Sequence, residues 1–114
     1  KRLAELVGGA MVKEIFYTAR QFNATEAYEM GLVNRVVPSQ MLSAYVDDYA
    51  KRIAENAPLT LASIKAIAHE LHKPHSGRDL DAIEAQVQGC FDSADYIEGR
   101  RAFMEKRKPA FQGR

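Results

Sequence analysis

Strand pattern is almost missing from this sequence, and that constrains the fold more than any other feature. Residues 32–37 form the one run rich in β-branched side chains, and it closes at Pro38. Every other apolar set recurs at helical spacing. A single extended segment needs a sheet edge elsewhere to pair with, so the expected class is mainly α with one short extended segment near residues 32–37.

The helices can be placed from their stops and caps. Leu3, Leu6 and Val7 already follow helical spacing with no capping residue ahead of them, and Lys1 is not a methionine, so the chain is expected to begin inside a helix, at a cut N-terminus. Gly8 and Gly9 interrupt that helix, and Met11, Ile15, Phe16 and Tyr17 resume it to about Thr18. Asn23 followed by Glu26 has capping-box spacing and Gly31 supplies a left-handed stop, which predicts a short helix from about Ala24 to Met30. Ser39 is a candidate cap for a long helix carrying Leu42, Tyr45, Val46, Tyr49 and Ile53, with the two tyrosines expected in the core and an end near Asn56, before Pro58. Leu61, Ile64, Ala68 and Leu71 mark the next helix, broken by Lys73, Pro74, Ser76 and Gly77. Leu80, Ile83, Val87, Cys90 and Phe91 mark another. Ser93 caps the last, which is expected to end by Pro109.

Composition excludes several classes. A chain of 114 residues is about one domain long and could bury roughly two-thirds of its unfolded surface. Apolar residues at 46% and charged residues at 27% argue against disorder and against a fibrous architecture. No apolar run approaches the roughly 18 residues of a membrane span, and no secretory h-region opens the chain, so a soluble cytoplasmic or matrix protein without a membrane partner is expected. Cys90 is the single cysteine, in keeping with a reducing compartment. A net charge of +1 argues against non-specific nucleic-acid binding.

Charge is nevertheless unevenly distributed. Asp79, Asp81, Glu84, Asp92, Asp95 and Glu98 meet no Lys or Arg between residues 79 and 98, whereas Arg100, Arg101, Lys106, Arg107, Lys108 and Arg114 follow with Glu105 as their only acid. Within the last helix the acids lead and the bases trail, the order its dipole favours. Lys106, Arg107 and Lys108 can bind phosphate, and Phe103, one turn before Lys106, adds an apolar surface for a ligand that is part greasy and part anionic. The plainer alternative is a solvated basic helix end balancing the acids before it. Gly99 inside that helix costs up to about 1 kcal/mol relative to alanine, which suggests close approach by another backbone.

Other candidate chemistry is weaker. His69, Glu70, Leu71 and His72 resemble a zinc-protease helix, but the histidines stand three apart where the motif needs four, so no metal site is expected. Gly8, Gly9 and Lys13 fit neither the P-loop nor the dinucleotide fingerprint. Glu26 with Glu29, and Asp47 with Asp48, sit on polar helix faces with no apolar pocket to raise a carboxyl pKa.

Taken in order, Leu6-Val7-Gly8, Thr18-Ala19-Arg20, Ala24-Thr25-Glu26-Ala27, Gly31-Leu32-Val33-Asn34-Arg35-Val36-Val37-Pro38, Ile53-Ala54-Glu55-Asn56-Ala57-Pro58 and Lys65 resemble the C-terminal half of the crotonase, or enoyl-CoA hydratase/isomerase, family. The ending from Glu98 through Gly99-Arg100-Arg101-Ala102-Phe103-Met104-Glu105-Lys106 to Arg107-Lys108-Pro109-Ala110-Phe111-Gln112-Gly113-Arg114 resembles the family's terminus. Two departures are Ala19, where the family commonly has Gly, and Ala4, where Pro is frequent.

The resemblance implies the helical trimerisation segment of a crotonase-type α/β spiral fold. Residues 1–38 would join the core and residues 39–114 would form the oligomerisation region. It implies an acyl-CoA thioester substrate, no tightly bound cofactor, and a homo-oligomer, a trimer or hexamer. It also implies cytoplasmic placement, or the mitochondrial matrix in a eukaryote. The family's two catalytic glutamates and its oxyanion N–H groups would lie upstream of Lys1, so no residue here inherits a catalytic role. Phe103 would border the acyl or pantetheine region and Lys106 would approach the phosphorylated adenosine of CoA. Two alternatives stay open: a non-catalytic helical interaction module, and another crotonase-type thioester chemistry.

Overall fold

A computed structural model describes residues 2–114. Six helices account for most of them: α1 (Arg2–Thr18), α2 (Ala24–Glu29), α3 (Leu42–Ala54), α4 (Pro58–Leu71), α5 (Leu80–Phe91) and α6 (Ala94–Glu105). Short 3-10 turns at Ser39–Met41 and His75–Gly77 precede α3 and α5. The mainly helical expectation is met. Residues 32–37 pair with nothing as a strand, and no strand forms among the described residues, because no sheet edge is there to accept their N–H and C=O groups.

Two compact units, Lys1–Tyr45 and Val46–Arg114, divide the chain. In the first, α1 is two helical pieces joined at Gly8, whose backbone (φ 79°, ψ 159°) is open to glycine and strained for any side chain. Asn23 and Glu26 form the predicted capping box: Glu26 N–H donates to Asn23 Oδ1 at 2.9 Å, and Asn23 N–H donates to Glu26 Oε2 at 2.9 Å. Two bonds close the other end of α2, Gly31 N–H to Tyr28 C=O at 3.0 Å and Leu32 N–H to Ala27 C=O at 2.9 Å, with Gly31 left-handed at φ 78°. Arg20 fastens the loop between α1 and α2. It donates to Glu26 at 2.7 Å and Glu14 at 3.2 Å and lies 3.7 Å over the Phe22 ring. The Asn23 N–H, and after it the Arg20 guanidinium, hold the Glu26 carboxyl below the ordinary carboxylate range.

Ser39 does not cap α3 through its side chain. Pro38 stands at the cap position, and Met41 N–H donates to Pro38 C=O at 2.9 Å, opening the helix with a 3-10 turn. Leu42, Val46, Tyr49 and Ile53 lie along one face of α3 and are each about half exposed, at 52, 52, 53 and 46%. Tyr49 is therefore not a core residue of this chain, and Tyr45 is only half-buried. The 3.6 period groups these residues on one face, and that face stays about half exposed.

In the second unit α4 packs on α5, and α5 on α6. Pro58 starts α4 at a position where its missing N–H is no loss. Arg78 donates to the carbonyls of Leu71 and Lys73 at the far end, while Glu70 accepts from Lys73 and from the Asp79 N–H, so the turn between α4 and α5 is tied by side chains. Asp79 caps α5 and Ser93 caps α6. Ala102 is the only buried apolar residue among the described ones, where Ser63, Ser93 and Asp95 are also buried.

Candidate functional site

The best-formed site lies in the second unit, where α4, α5, α6 and the last residues of the chain meet. They enclose an open groove of about 600 Å³ walled by Ile64, Ile67, Val87, Phe91, Tyr96 and Phe103. The Phe91 and Tyr96 rings stand edge to face, with centroids 5.2 Å apart. Arg100 also lines the groove, its guanidinium carbon 5.9 Å from the Tyr96 ring centre.

Residues 107–114 return along α6 as a strap. Asp95, 3% exposed in the first turn of α6, accepts from Gln112 N–H at 2.6 Å and Gly113 N–H at 2.7 Å, one on each carboxylate oxygen. Its own N–H donates to Arg114 C=O at 3.1 Å. Phe111 then lies against Gly99, where an added Cβ would sit 3.4 Å from the ring. The close approach at Gly99 is therefore made by an aromatic side chain of the same chain, and not by another backbone.

Glu98 holds the near end of the strap. Arg107 Nη1 and Nη2 donate to its two oxygens at 2.6 and 2.9 Å, and Ala110 N–H adds a third bond at 2.9 Å. The Arg107 fork, then the Ala110 N–H, lower the Glu98 carboxyl from 4.5 to about 2. Arg107 Nε also donates to Glu105 at 2.6 Å. With Glu98 and Glu105 as partners, the Arg107 pKa is raised.

The two residues singled out by the sequence sit at the end of α6 in different settings. Phe103 is 82% exposed and forms part of the groove wall. Lys106 follows the last helical residue, is exposed, and has a left-handed backbone at φ 54° and ψ 38°. It is not among the groove-lining residues. Asp95 and Glu98, read from the sequence as dipole-favoured helix charges, are the anchors of the strap. Their partners stand 9 to 18 residues away, a separation that carries no periodic signal.

Glu70, the acid of the zinc-protease look-alike, is consumed by Lys73 and the Asp79 N–H, and these lower its pKa, Lys73 most. Among the described residues no group of three or more His, Cys, Asp or Glu is placed to hold a metal ion. No helix among them is long and apolar enough to cross a membrane. The groove can bind an apolar group beside a cationic rim. Its one carboxylate, Asp95, is spent on the strap.

The sequence model of the enoyl-CoA hydratase/isomerase family matches residues 1–114. The chain belongs to that family. It is 42% identical over 112 residues to a crotonyl-CoA hydratase of Syntrophomonas wolfei, an alignment that takes in 97% of this chain and 43% of the relative. Methylmalonyl-CoA decarboxylase of Escherichia coli is 37% identical over 108 residues, covering 93% of this chain and 41% of the relative. The crystal structure of an enoyl-CoA hydratase from Bacillus anthracis superposes with a TM-score of 0.89 at 35% identity, over 100% of this chain and 44% of that one. This enoyl-CoA hydratase/isomerase family chain thus spans about two-fifths of the length of the curated relatives it matches. Its departure at Ala19 now has a physical setting, since Ala19 is left-handed at φ 48°, a backbone that glycine adopts without strain.

Proposed function

We propose that this chain is the C-terminal segment of an enoyl-CoA hydratase/isomerase-like enzyme acting on acyl-CoA thioesters, and that it supplies oligomer and CoA contacts while the catalytic glutamates lie elsewhere. In this reading residues 1–38 join the catalytic core and residues 39–114 form the surface on which copies assemble. The carrying observation is the end of α6, where an exposed aromatic ring, Phe103, precedes an exposed ammonium, Lys106, by one turn. That pair suits a ligand whose acyl-pantetheine arm is uncharged, with apolar stretches, and whose adenosine end is anionic. The half-exposed apolar stripe of α3 supports an assembly role, since an isolated chain gains nothing from leaving it in water.

Hydration or double-bond isomerisation of an enoyl-CoA is the favoured reaction. The 37% identity to a methylmalonyl-CoA decarboxylase supports a second reading, in which the same binding segment serves another thioester chemistry. Following loss of the enoyl-thioester absorbance of crotonyl-CoA tests the division of labour. The complete protein is expected to turn it over and residues 1–114 alone are expected to be inert. Turnover by the chain alone at a rate comparable to the complete protein would overturn the proposal.

A further inference from the structure

Two helices of this chain end with the same hydrogen-bond pattern, and they differ in the residue at the left-handed position. At the end of α2, Gly31 N–H reaches back to Tyr28 C=O and Leu32 N–H to Ala27 C=O, with glycine in the left-handed position. At the end of α6, Lys106 N–H reaches Phe103 C=O at 3.2 Å and Arg107 N–H reaches Ala102 C=O at 3.0 Å. The left-handed position there is filled by lysine, at φ 54°. A residue with a Cβ is strained in this backbone region, and its retention needs support from the surroundings.

That support is visible on both sides of Lys106. Arg107 joins Glu105, the residue before Lys106, to Glu98, two turns back on α6, and Ala110 N–H closes on the same Glu98 oxygen. The lysine is thus bracketed by one guanidinium that pins the chain before and after it.

We propose that the fork between Glu98 and Arg107 is a positioning device. It fixes Lys106 in the left-handed turn so that the ammonium meets the phosphate on the adenosine end of a CoA ester. The inference rests on the CoA-contact reading above and adds to it two residues that touch no ligand. Glycine would close the same turn with less strain but would present no charge, so a lysine held there is explained by what its side chain does.

The test compares the Kd of CoA with that of 3′-dephospho-CoA in the complete protein, because their ratio reads contact with that phosphate and cancels any general damage to folding. Lys106→Ala is expected to lower the discrimination about fivefold. Glu98→Gln and Arg107→Lys, which disturb the fork from its two ends, are each expected to lower it about threefold, and to have no further effect when combined with Lys106→Ala. If Lys106→Ala lowers the ratio while both fork variants leave it at the wild-type value, the positioning role fails and the lysine contact stands. If Lys106→Ala leaves the ratio unchanged, the contact fails and the positioning role with it. Equal weakening of both ligands by the fork variants also counts against positioning.

Discussion

Replacing Asp95 with asparagine should release the strap while leaving α6 folded. The side chain is 3% exposed and its two oxygens each accept a backbone N–H, from Gln112 at 2.6 Å and Gly113 at 2.7 Å. An amide of the same shape keeps one oxygen. Its NH2 group would then face the second N–H, so one charge-assisted bond is lost, the other is weakened, and two donors are opposed. Hydrogen bonds to charged groups contribute about 1.5–3 kcal/mol, and the loss expected here is about 2–3 kcal/mol. At about 1.4 kcal/mol per tenfold, the opening constant of the strap rises roughly 30- to 150-fold. Backbone hydrogen exchange followed by NMR reads this directly. The Gln112 and Gly113 amides should lose protection by that factor, while amides in the middle of α6 change little. Unchanged protection at Gln112 and Gly113 in Asp95→Asn would refute the assignment of Asp95 as the anchor.

Two further outcomes follow from backbone strain and from the lowered carboxyl. Ala19→Gly should raise stability by about 0.5–1 kcal/mol in denaturant unfolding, since relief of about 1–2 kcal/mol of left-handed strain exceeds the extra entropy that glycine loses on folding; a net loss would mean that the strain at φ 48° is relieved some other way. The Glu98 carboxyl is lower in the folded chain than its ordinary 4.5, so its contribution to stability is complete above 4.5 and is lost as the pH falls toward about 2. An NMR titration of the Glu98 side-chain carbon should place its midpoint near the lower value, and a midpoint at 4.5 would show that the fork does not persist in solution.

The parts of this chain that its sequence announces are those settled within a few residues. Asn23, Glu26 and Gly31 begin and end α2 through bonds spanning no more than five positions, and each residue type is the one its backbone position favours. The break at Lys73, Pro74, Ser76 and Gly77 between α4 and α5 is local in the same sense. Ser39 misleads because Pro38, next to it, sets the entry to α3 through its own carbonyl. Gly99 rightly signals a close approach, but a glycine cannot say whether backbone or ring fills the space, and Phe111 fills it.

The strap lies beyond such reading. Asp95 and Glu98 look like ordinary acids at the start of a helix, and nothing in their spacing points to amides 12 to 18 residues later. Helical period likewise identified the apolar face of α3 but not how far it is buried, because periodicity groups residues on a face without fixing what packs against it. Of the two candidate site residues, Phe103 was legible as an exposed aromatic beside a basic cluster. The left-handed turn at Lys106 was not, because the residue found there is lysine and the residue that ordinarily marks such a turn is glycine.

The most direct test of the account is the salt dependence of CoA-ester binding by the complete protein with and without Lys106. A terminal ammonium meeting a phosphate near solvent predicts that Lys106→Ala weakens binding about fivefold at low ionic strength, and that the difference narrows as salt screens the pair. Equal affinities for the two proteins at low salt would contradict it, leaving the basic end of α6 as solvated surface.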